Sequence, residues 1–267
     1  MNEIPQYQKV CEAAVRAAGA MLVQRMGRVK VREKGPSDLV TEADLASQAM
    51  VRRSILGAFP DHTVLAEEDP PEPTARGEYR WILDPLDGTT NYVHRYPFFS
   101  VSLALERNRE LLVGAIYNPI ADELFTAAAG QGAFLNGTRL QASQVTELSQ
   151  AVASAGLPAA VRRDSLDLAV FIEASIRCQS IRRSGSAALN LAYLAAGRVD
   201  VFWSFSTKLW DVAAGALLIR EAGGIISRPD GTPYALEDGQ FLAAANPVLH
   251  KQMLELIRGA LASGQGP

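Results

Sequence analysis

Asp84 and Asp87 stand three residues apart where an apolar run, Trp81-Ile82-Leu83, gives way to Pro, Gly and Thr in the segment WILDPLDGTTNYVH. Two carboxylates converging from one turn can hold a divalent cation, and the Gly-Thr-Thr behind them can offer backbone amides to an anionic oxygen. Pro85 has no N–H and biases Asp84 toward an extended conformation, so the spacing predicts a strand over WIL that turns at Pro85. Gly88 permits a positive φ, and the N–H groups of Gly88, Thr89 and Thr90 are placed to open a short helix whose end attracts an anion. Metal on one side and phosphate on the other is the chemistry this layout allows. An ordinary Asp-Pro-Gly turn after a strand is the competing explanation of DPLDG taken alone.

Three more acidic segments repeat the theme. Glu67 and Glu68 follow the apolar run of TVLAEED. Asp211, after Trp210, lies in the first turn of a helical pattern in TKLWDVAAGALLIREAGG, which Gly223-Gly224 would stop. In KGPSDLVTEAD, Thr41 followed by Asp44 fits a capping box at a helix start. Solvation, dipole complementation and capping explain each acid separately; four acidic segments, each where a regular element starts or stops, ask for a common cause.

The blocks WILDPLDGTTNYVHRYPFFSVSLAL and WDVAAGALLIREAGG resemble the paired signatures of the inositol monophosphatase family, within the lithium-sensitive, Mg²⁺-dependent sugar-phosphatase superfamily. KGPSDLVTEAD and Glu67-Glu68 resemble its other two active-site segments, in the same order, and the similarity runs from about residue 8 to about 260. The resemblance implies that Glu67, Asp84 and the Leu86 carbonyl hold one Mg²⁺, and that Asp84, Asp87 and Asp211 hold a second. A third, weaker ion would sit near Glu67 through waters, and Mn²⁺ would substitute. Thr89 with Asp44 resembles the pair that orients or deprotonates the attacking water, so Asp44, Glu67 and Thr89 are the expected catalytic groups. Gly88 and Thr89 amides would receive phosphate oxygens, with Glu68 and Thr90 supporting the ligands from behind. The implied fold is a mixed α/β layered α-β-α-β-α sandwich with the site between its halves.

The donor set agrees on the metal independently. His62, His94, His250, Cys11 and Cys178 form no ligand-like cluster in the sequence, whereas the acidic segments supply only oxygen, which suits hard Mg²⁺ or Mn²⁺ better than Zn²⁺. His94 is expected to be structural or to stand behind the ligands rather than act as a base.

At 267 residues, 48% hydrophobic and 21% charged, the chain is an ordinary globular sequence near the length at which one core divides in two. A net charge of −3 gives no electrostatic argument for a nucleic-acid partner. MNEIPQYQKV is too polar for a signal peptide, and no apolar run approaches the ~18 residues of a membrane span. With two isolated cysteines, a reduced cytoplasmic setting is expected.

Amphipathic helices are read near 6–26 and 42–58 and strands near 63–66 and 80–84, followed by an antiparallel meander of FFSVSLALE, LLVGAIYN and ELFTAAAG. From about 150, strand and helix alternate: AVASAG, a helix near 164–175, QSIRR, SAALNLAYLAAG, VDVFWS, the Asp211 helix, GIISRP, FLAAAN and a final helix. This divides the chain into an N-terminal α+β half, 1–145, with most of the metal ligands, and a C-terminal α/β half, 146–267, with Asp211 and the substrate contacts. PPEPTARG reads as a surface loop and ASGQGP as a soft end.

At the substrate end, SGSAALN resembles the family's stretch that contacts ring hydroxyls, which makes Gly185, Ser186 and Ala187 candidates beside Asp87. Seven residues before Asp211, where inositol phosphatases usually carry a glutamate, this chain has Ser204, a shorter and neutral partner; Leu157 also replaces a polar contact. The departure leaves histidinol phosphate, fructose 1,6-bisphosphate and adenosine 3′,5′-bisphosphate open beside inositol phosphate. Arg182, Arg183 and Lys208 either serve a second anionic group or make salt bridges and a dimer interface. Relatives imply a homodimer, and an interaction role in the transcription or ribosome-assembly machinery is the alternative of another kind.

Overall fold

The computed structural model describes residues 3–35, 38–70, 77–158 and 161–263. Most of PPEPTARG and the last residues of ASGQGP fall outside them. Within them the chain runs α1 (Ile4–Arg25), β1 (Val31–Gly35), β2 (Asp38–Thr41), α2 (Glu42–Ala58), β3 (Thr63–Ala66), β4 (Tyr79–Asp87) and α3 (Thr89–Val93). It continues through β5 (Ser100–Arg107), β6 (Glu110–Asn118), β7 (Glu123–Ala128), β8 (Gly132–Leu135) and β9 (Thr138–Arg139). Then come β10 (Val152–Gly156), α4 (Leu166–Arg177), β11 (Ser180–Arg182), α5 (Ala187–Ala195) and β12 (Val201–Ser204). α6 (Leu209–Glu221), β13 (Ile225–Ser227), β14 (Phe241–Ala244) and α7 (Pro247–Ser263) close the chain.

β3 to β9 form a seven-stranded sheet in sequence order, parallel only between β3 and β4. The expected meander is its β5-β6-β7 centre. The second sheet has the order β11-β10-β12-β14-β13, with β10 parallel to β11 and β12, and β14 antiparallel to β12 and β13. β1 and β2 pair as a separate hairpin where no strand was expected.

Alternation along the strands fixes the layers. Trp81, Leu83 and Leu103 pack with Val15, Leu22, Val51 and Ile55 of α1 and α2. Ile82, Ala104, Ile116 and Phe125, on the other face, meet α5 and α6, which on their far side pack against Phe202 and Ala243 of the second sheet. Val201, Trp203 and Leu242 turn the other way, toward Val170 of α4 and Met253 of α7. The result is α1α2, sheet, α5α6, sheet, α4α7: five layers in α-β-α-β-α order.

The middle layer is held tightly. Gly215 of α6 lies so close to α5 that a Cβ there would sit 2.5 Å from Leu191 Cβ. Gly215→Val would therefore push α5 from α6, and overpacking of this kind is expected to cost about 1–3 kcal/mol. Urea denaturation checks it: a midpoint equal to that of the parent chain would contradict this packing.

Candidate active site

β4 does not turn at Pro85 as the sequence suggested. Asp84 pairs with Ser102 and Asp87 with Ser100, three steps on β4 against two on β5, so one extra residue is accommodated as a bulge. Pro85, with no N–H to give to the ladder, sits where pairing lapses. The bulge changes which way the side chains face. In a regular strand residues three apart point to opposite faces; with one residue inserted, Asp84 and Asp87 both point toward the α5α6 layer, while Leu86 packs in the α1α2 core.

Asp211 comes from the first turn of α6, where its Oδ2 accepts the Lys208 N–H at 2.8 Å, the reach-back half of a capping box. Glu67 follows β3, its N–H donating to the Leu83 carbonyl at 3.2 Å, beside Asp84. Asp84 is 2% exposed and Asp87 7%. Burial raises the Asp84 carboxyl well above the ordinary range, and repulsion from Glu67, Asp87 and Asp211 adds to it. Burial likewise raises Asp87, opposed by its hydrogen bonds. Asp211 is pushed up to about 8 by desolvation of its carboxyl, with Asp87 and Glu67 adding and the Lys208 amide opposing. Acids from three separate segments thus feel one another.

Protein donors orient these acids. Asp84 Oδ1 accepts the Leu86 N–H at 3.0 Å. Asp87 lies at the start of α5, its Oδ1 accepting from Ala187 N–H and its Oδ2 from Ala188 N–H, each at 3.0 Å, and from the hydroxyls of Ser186 and Ser100. The Ala187 amide, expected to reach substrate, is spent on Asp87.

Asp44 has two tasks. Its Oδ2 accepts Thr41 N–H at 2.8 Å, closing the cap of α2, and its Oδ1 lies 3.1 Å from the Thr89 hydroxyl. Thr89 Oγ1 is also 3.1 Å from the Leu86 carbonyl, with one proton for the two acceptors. Burial raises the Asp44 carboxyl while the hydrogen bonds from Thr41 and Thr89 lower it. Gly88 caps α3 with φ +92° and approaches Gly185, at φ +84°; a Cβ on Gly88 would meet the Gly185 carbonyl at 3.3 Å. The two turns, from opposite halves of the chain, touch backbone to backbone.

A cavity of about 280 Å³ opens here. Asp87 and Asp211 lie on its wall, as do Gly185, Ser186, Ala187, Ser204, Leu157, Arg183 and the exposed Thr90. Ser204 is buried and faces Gly156, where a Cβ would meet its Oγ at 2.6 Å. Lys208 is exposed at the cap of α6, and Arg182 is exposed with its guanidinium on Ser180 and the Ile181 carbonyl. Glu68 is half-buried, its N–H donating to Gln48.

The other titratable candidates lie elsewhere. His62 accepts the Trp81 indole N–H among Tyr7, Phe59 and Tyr79. His94 is exposed at the end of α3, and His250 pairs with Ser227. Cys11 and Cys178 are buried free thiols.

Sequence reasoning missed Asn91, whose amide ties α3 to the Ser184 carbonyl at 2.8 Å, and Ser47, whose hydroxyl holds the Pro85 carbonyl at 2.7 Å. Nothing local marks either: both partners are far along the chain.

Among the described residues no three acids, histidines or cysteines stand at the spacing of a closed ligand shell. The donor chemistry nonetheless fits a hard divalent cation. The acids are carboxylates enclosed together, and a cation would reverse the repulsion that raises them.

The chain is similar to known proteins over nearly its whole length. The model of the inositol monophosphatase family matches residues 4–262. The chain is 40% identical over 254 residues to an inositol-1-monophosphatase of Mesorhizobium japonicum, covering 94% of this chain and 95% of that one. It is 38% identical over 253 residues to the Nus factor SuhB of Escherichia coli K12, covering 93% and 94%. The solved structure of an inositol monophosphatase from Anabaena superposes with a TM-score of 0.87 at 38% identity, covering 98% of this chain and all of that one.

The raised carboxyls set a pH dependence. Asp211 titrates near 8 in the fold against 3.8 as a free side chain. Between those values the folded metal-free chain binds more protons than the unfolded one, so its stability falls as pH rises. The contribution of Asp211 to the Tm of metal-free protein is therefore expected to fall from about pH 5 to about pH 8; a Tm profile over that interval that is the same in folded Asp211→Asn would show that this carboxyl is not enclosed with the others. By the extent of these matches the chain belongs to the inositol monophosphatase family and is a phosphoric monoester hydrolase.

Proposed function

We propose that this chain hydrolyses the phosphate monoester of a small polyol or sugar in the cytoplasm, with two or three Mg²⁺ ions, which Mn²⁺ can replace and Li⁺ inhibits. The observation that carries this reading is the convergence of Glu67, Asp84, Asp87 and Asp211 beside a polar cavity. Asp84, the electrostatic neighbour of the other three, suits the bridging ligand, and the Leu86 carbonyl completes an all-oxygen set. Bound divalent cations would neutralise the phosphoryl oxygens and acidify water for in-line attack, with no phosphoenzyme needed.

The chain's own groups do the rest. With its proton directed to Asp44, the Thr89 hydroxyl offers its oxygen to the attacking water, and Asp44 serves as the final proton acceptor. The Gly88 and Thr89 amides, opening α3, suit a phosphate oxygen, while Glu68 supports Glu67 through the turn they share. Gly185, Ser186 and Ser204 are the substrate contacts of this reading, with Asp87 adding an acceptor and Ala187 shaping the wall while its N–H donates a hydrogen bond to Asp87.

The 280 Å³ cavity suits a small ester, and the neutral Ser204 weakens the case for myo-inositol 1-phosphate against the sugar bisphosphates and histidinol phosphate. A panel of phosphate esters with Mg²⁺, ranked by kcat/KM, is expected to give one small polyol or sugar ester clearly above the rest. Homodimer assembly belongs to the same proposal and is read by sedimentation.

The likeness to a Nus factor supports a second reading, an interaction role beside catalysis. Co-purification with RNA polymerase, and cellular function that survives Asp84→Asn, would favour it.

Asp84→Asn tests the leading reading directly. It is expected to lower kcat/KM about a thousandfold, as loss of charge stabilisation in a closed site does. It should also leave the metal-free Tm equal or higher, because one buried repelling charge is gone. Near-parental turnover in the folded variant would remove Asp84 from the bridging role.

A further inference from the structure

The turn that carries Glu67 is tied at every amide. Ala66 N–H donates to Asp69 Oδ2 at 2.9 Å, Glu67 N–H to the Leu83 carbonyl at 3.2 Å, Glu68 N–H to Gln48 Oε1 at 3.1 Å and Asp69 N–H to the Ala66 carbonyl at 3.1 Å. Two of these four anchors depend on side chains whose role nothing above assigns. Gln48 uses both ends of its amide on this turn: Oε1 takes Glu68 N–H, and Nε2 donates to Asp69 Oδ1 at 2.9 Å. Arg52 Nη2 grips both Asp69 oxygens, at 2.5 and 2.7 Å, and its Nη1 reaches the Val64 carbonyl at 3.3 Å.

The spacing on α2 gives this arrangement its reach. Asp44, Gln48 and Arg52 are four residues apart and share one face of the helix. Asp44 holds Thr89, Ser47 holds the Pro85 carbonyl in the bulge, and Gln48 and Arg52 hold the Glu67 turn. One rigid helix thus sets two of the three chain segments that bring the metal-side acids together, the Glu67 turn and the stretch from Asp84 to Thr89, relative to one another. Glu67 needs this most. Asp84 and Asp87 lie within β4 and Asp211 within α6, whereas Glu67 stands beyond the end of β3 on a turn and is repelled by Asp84 and Asp211. Released from its anchors, the turn would let that carboxylate withdraw.

We infer that Gln48 and Asp69 are positioning residues that hold the Glu67 carboxylate against the other acids, and so set the affinity of that side of the site for a divalent cation. The inference rests on the metal-dependent reading above. Groups that orient ligands in this way change metal affinity about 10- to 100-fold when removed. A merely structural pair would lower stability and leave metal affinity alone.

The test titrates Mn²⁺ into the intact protein by calorimetry and, separately, measures phosphate-ester hydrolysis against Mg²⁺ concentration. Gln48→Leu and Asp69→Ala are each expected to weaken Mn²⁺ binding about tenfold and to raise the half-saturating Mg²⁺ in parallel. kcat at saturating Mg²⁺ should stay within about threefold of the parent. Asp69→Asn, which keeps an acceptor for Ala66 N–H, should retain more affinity than Asp69→Ala. If Asp69→Ala does not fold, Gln48→Leu at its half-buried position carries the test. Folded variants that bind Mn²⁺ within about twofold of the parent, or that lose kcat with unchanged affinity, would overturn the inference and leave the metal reading standing. A parent protein that binds no Mn²⁺ would overturn both.

Discussion

Enclosing four carboxylates in one space is the constraint around which this molecule is arranged. Like charges in a low-dielectric interior repel strongly, and Asp84 and Asp87 have also lost most of their water. A flexible chain would relieve this by letting the acids drift apart. Here each is fastened by donors from the backbone: Asp84 by Leu86, Asp87 by the opening of α5, Asp211 by Lys208, and Glu67 through the anchored turn that bears it. The raised carboxyls at Asp84, Asp87 and Asp211 are the electrostatic mark of that enclosure. Such a site is poorly stabilised when empty of cations and well stabilised by hard ones.

Architecture supplies the stiffness. The bulge in β4 lets two acids three residues apart face one way, and its carbonyl at Pro85 is held by Ser47 of the neighbouring helix. The contact of Gly88 with Gly185 and the Asn91 bond to Ser184 lock the Gly88 turn to the segment that opens α5. Both halves of the chain therefore line the cavity, the first through Asp87, Thr90 and Asn91. Ser204, Leu157 and Arg183 line the same cavity as Asp87 and Asp211.

The acids themselves were legible in the sequence because Asp, Pro and Gly after an apolar run leave few conformations, and Asp211 follows directly on a helix start. The meander and the strand-helix alternation were legible from periodicity. The order of the five layers came from family resemblance, since alternation fixes which residues share a face and not which partner covers it. The bulge was not legible: it exists only relative to Ser100 and Ser102 on the next strand. The β1β2 hairpin was missed because VREKG carries three charges in five residues and no apolar alternation. Nothing in the sequence marks Arg52 and Asp69, because their pairing links positions 17 apart in the chain. Asp44 carried a sufficient local explanation as a cap, so its hydrogen bond to Thr89, 45 residues away, was expected from the family resemblance and not from the local pattern.

The place of α6 between the two sheets bears on how the molecule is made. Its residues pack against Ile82 and Phe125 on one side and Phe202 and Ala243 on the other, so it cannot dock until both sheets exist. The segments bearing Glu67, Asp84 and Asp87 are synthesised well before Asp211. Long-range assembly of this kind is slow, and the acids come fully together only as α6 docks between the two sheets.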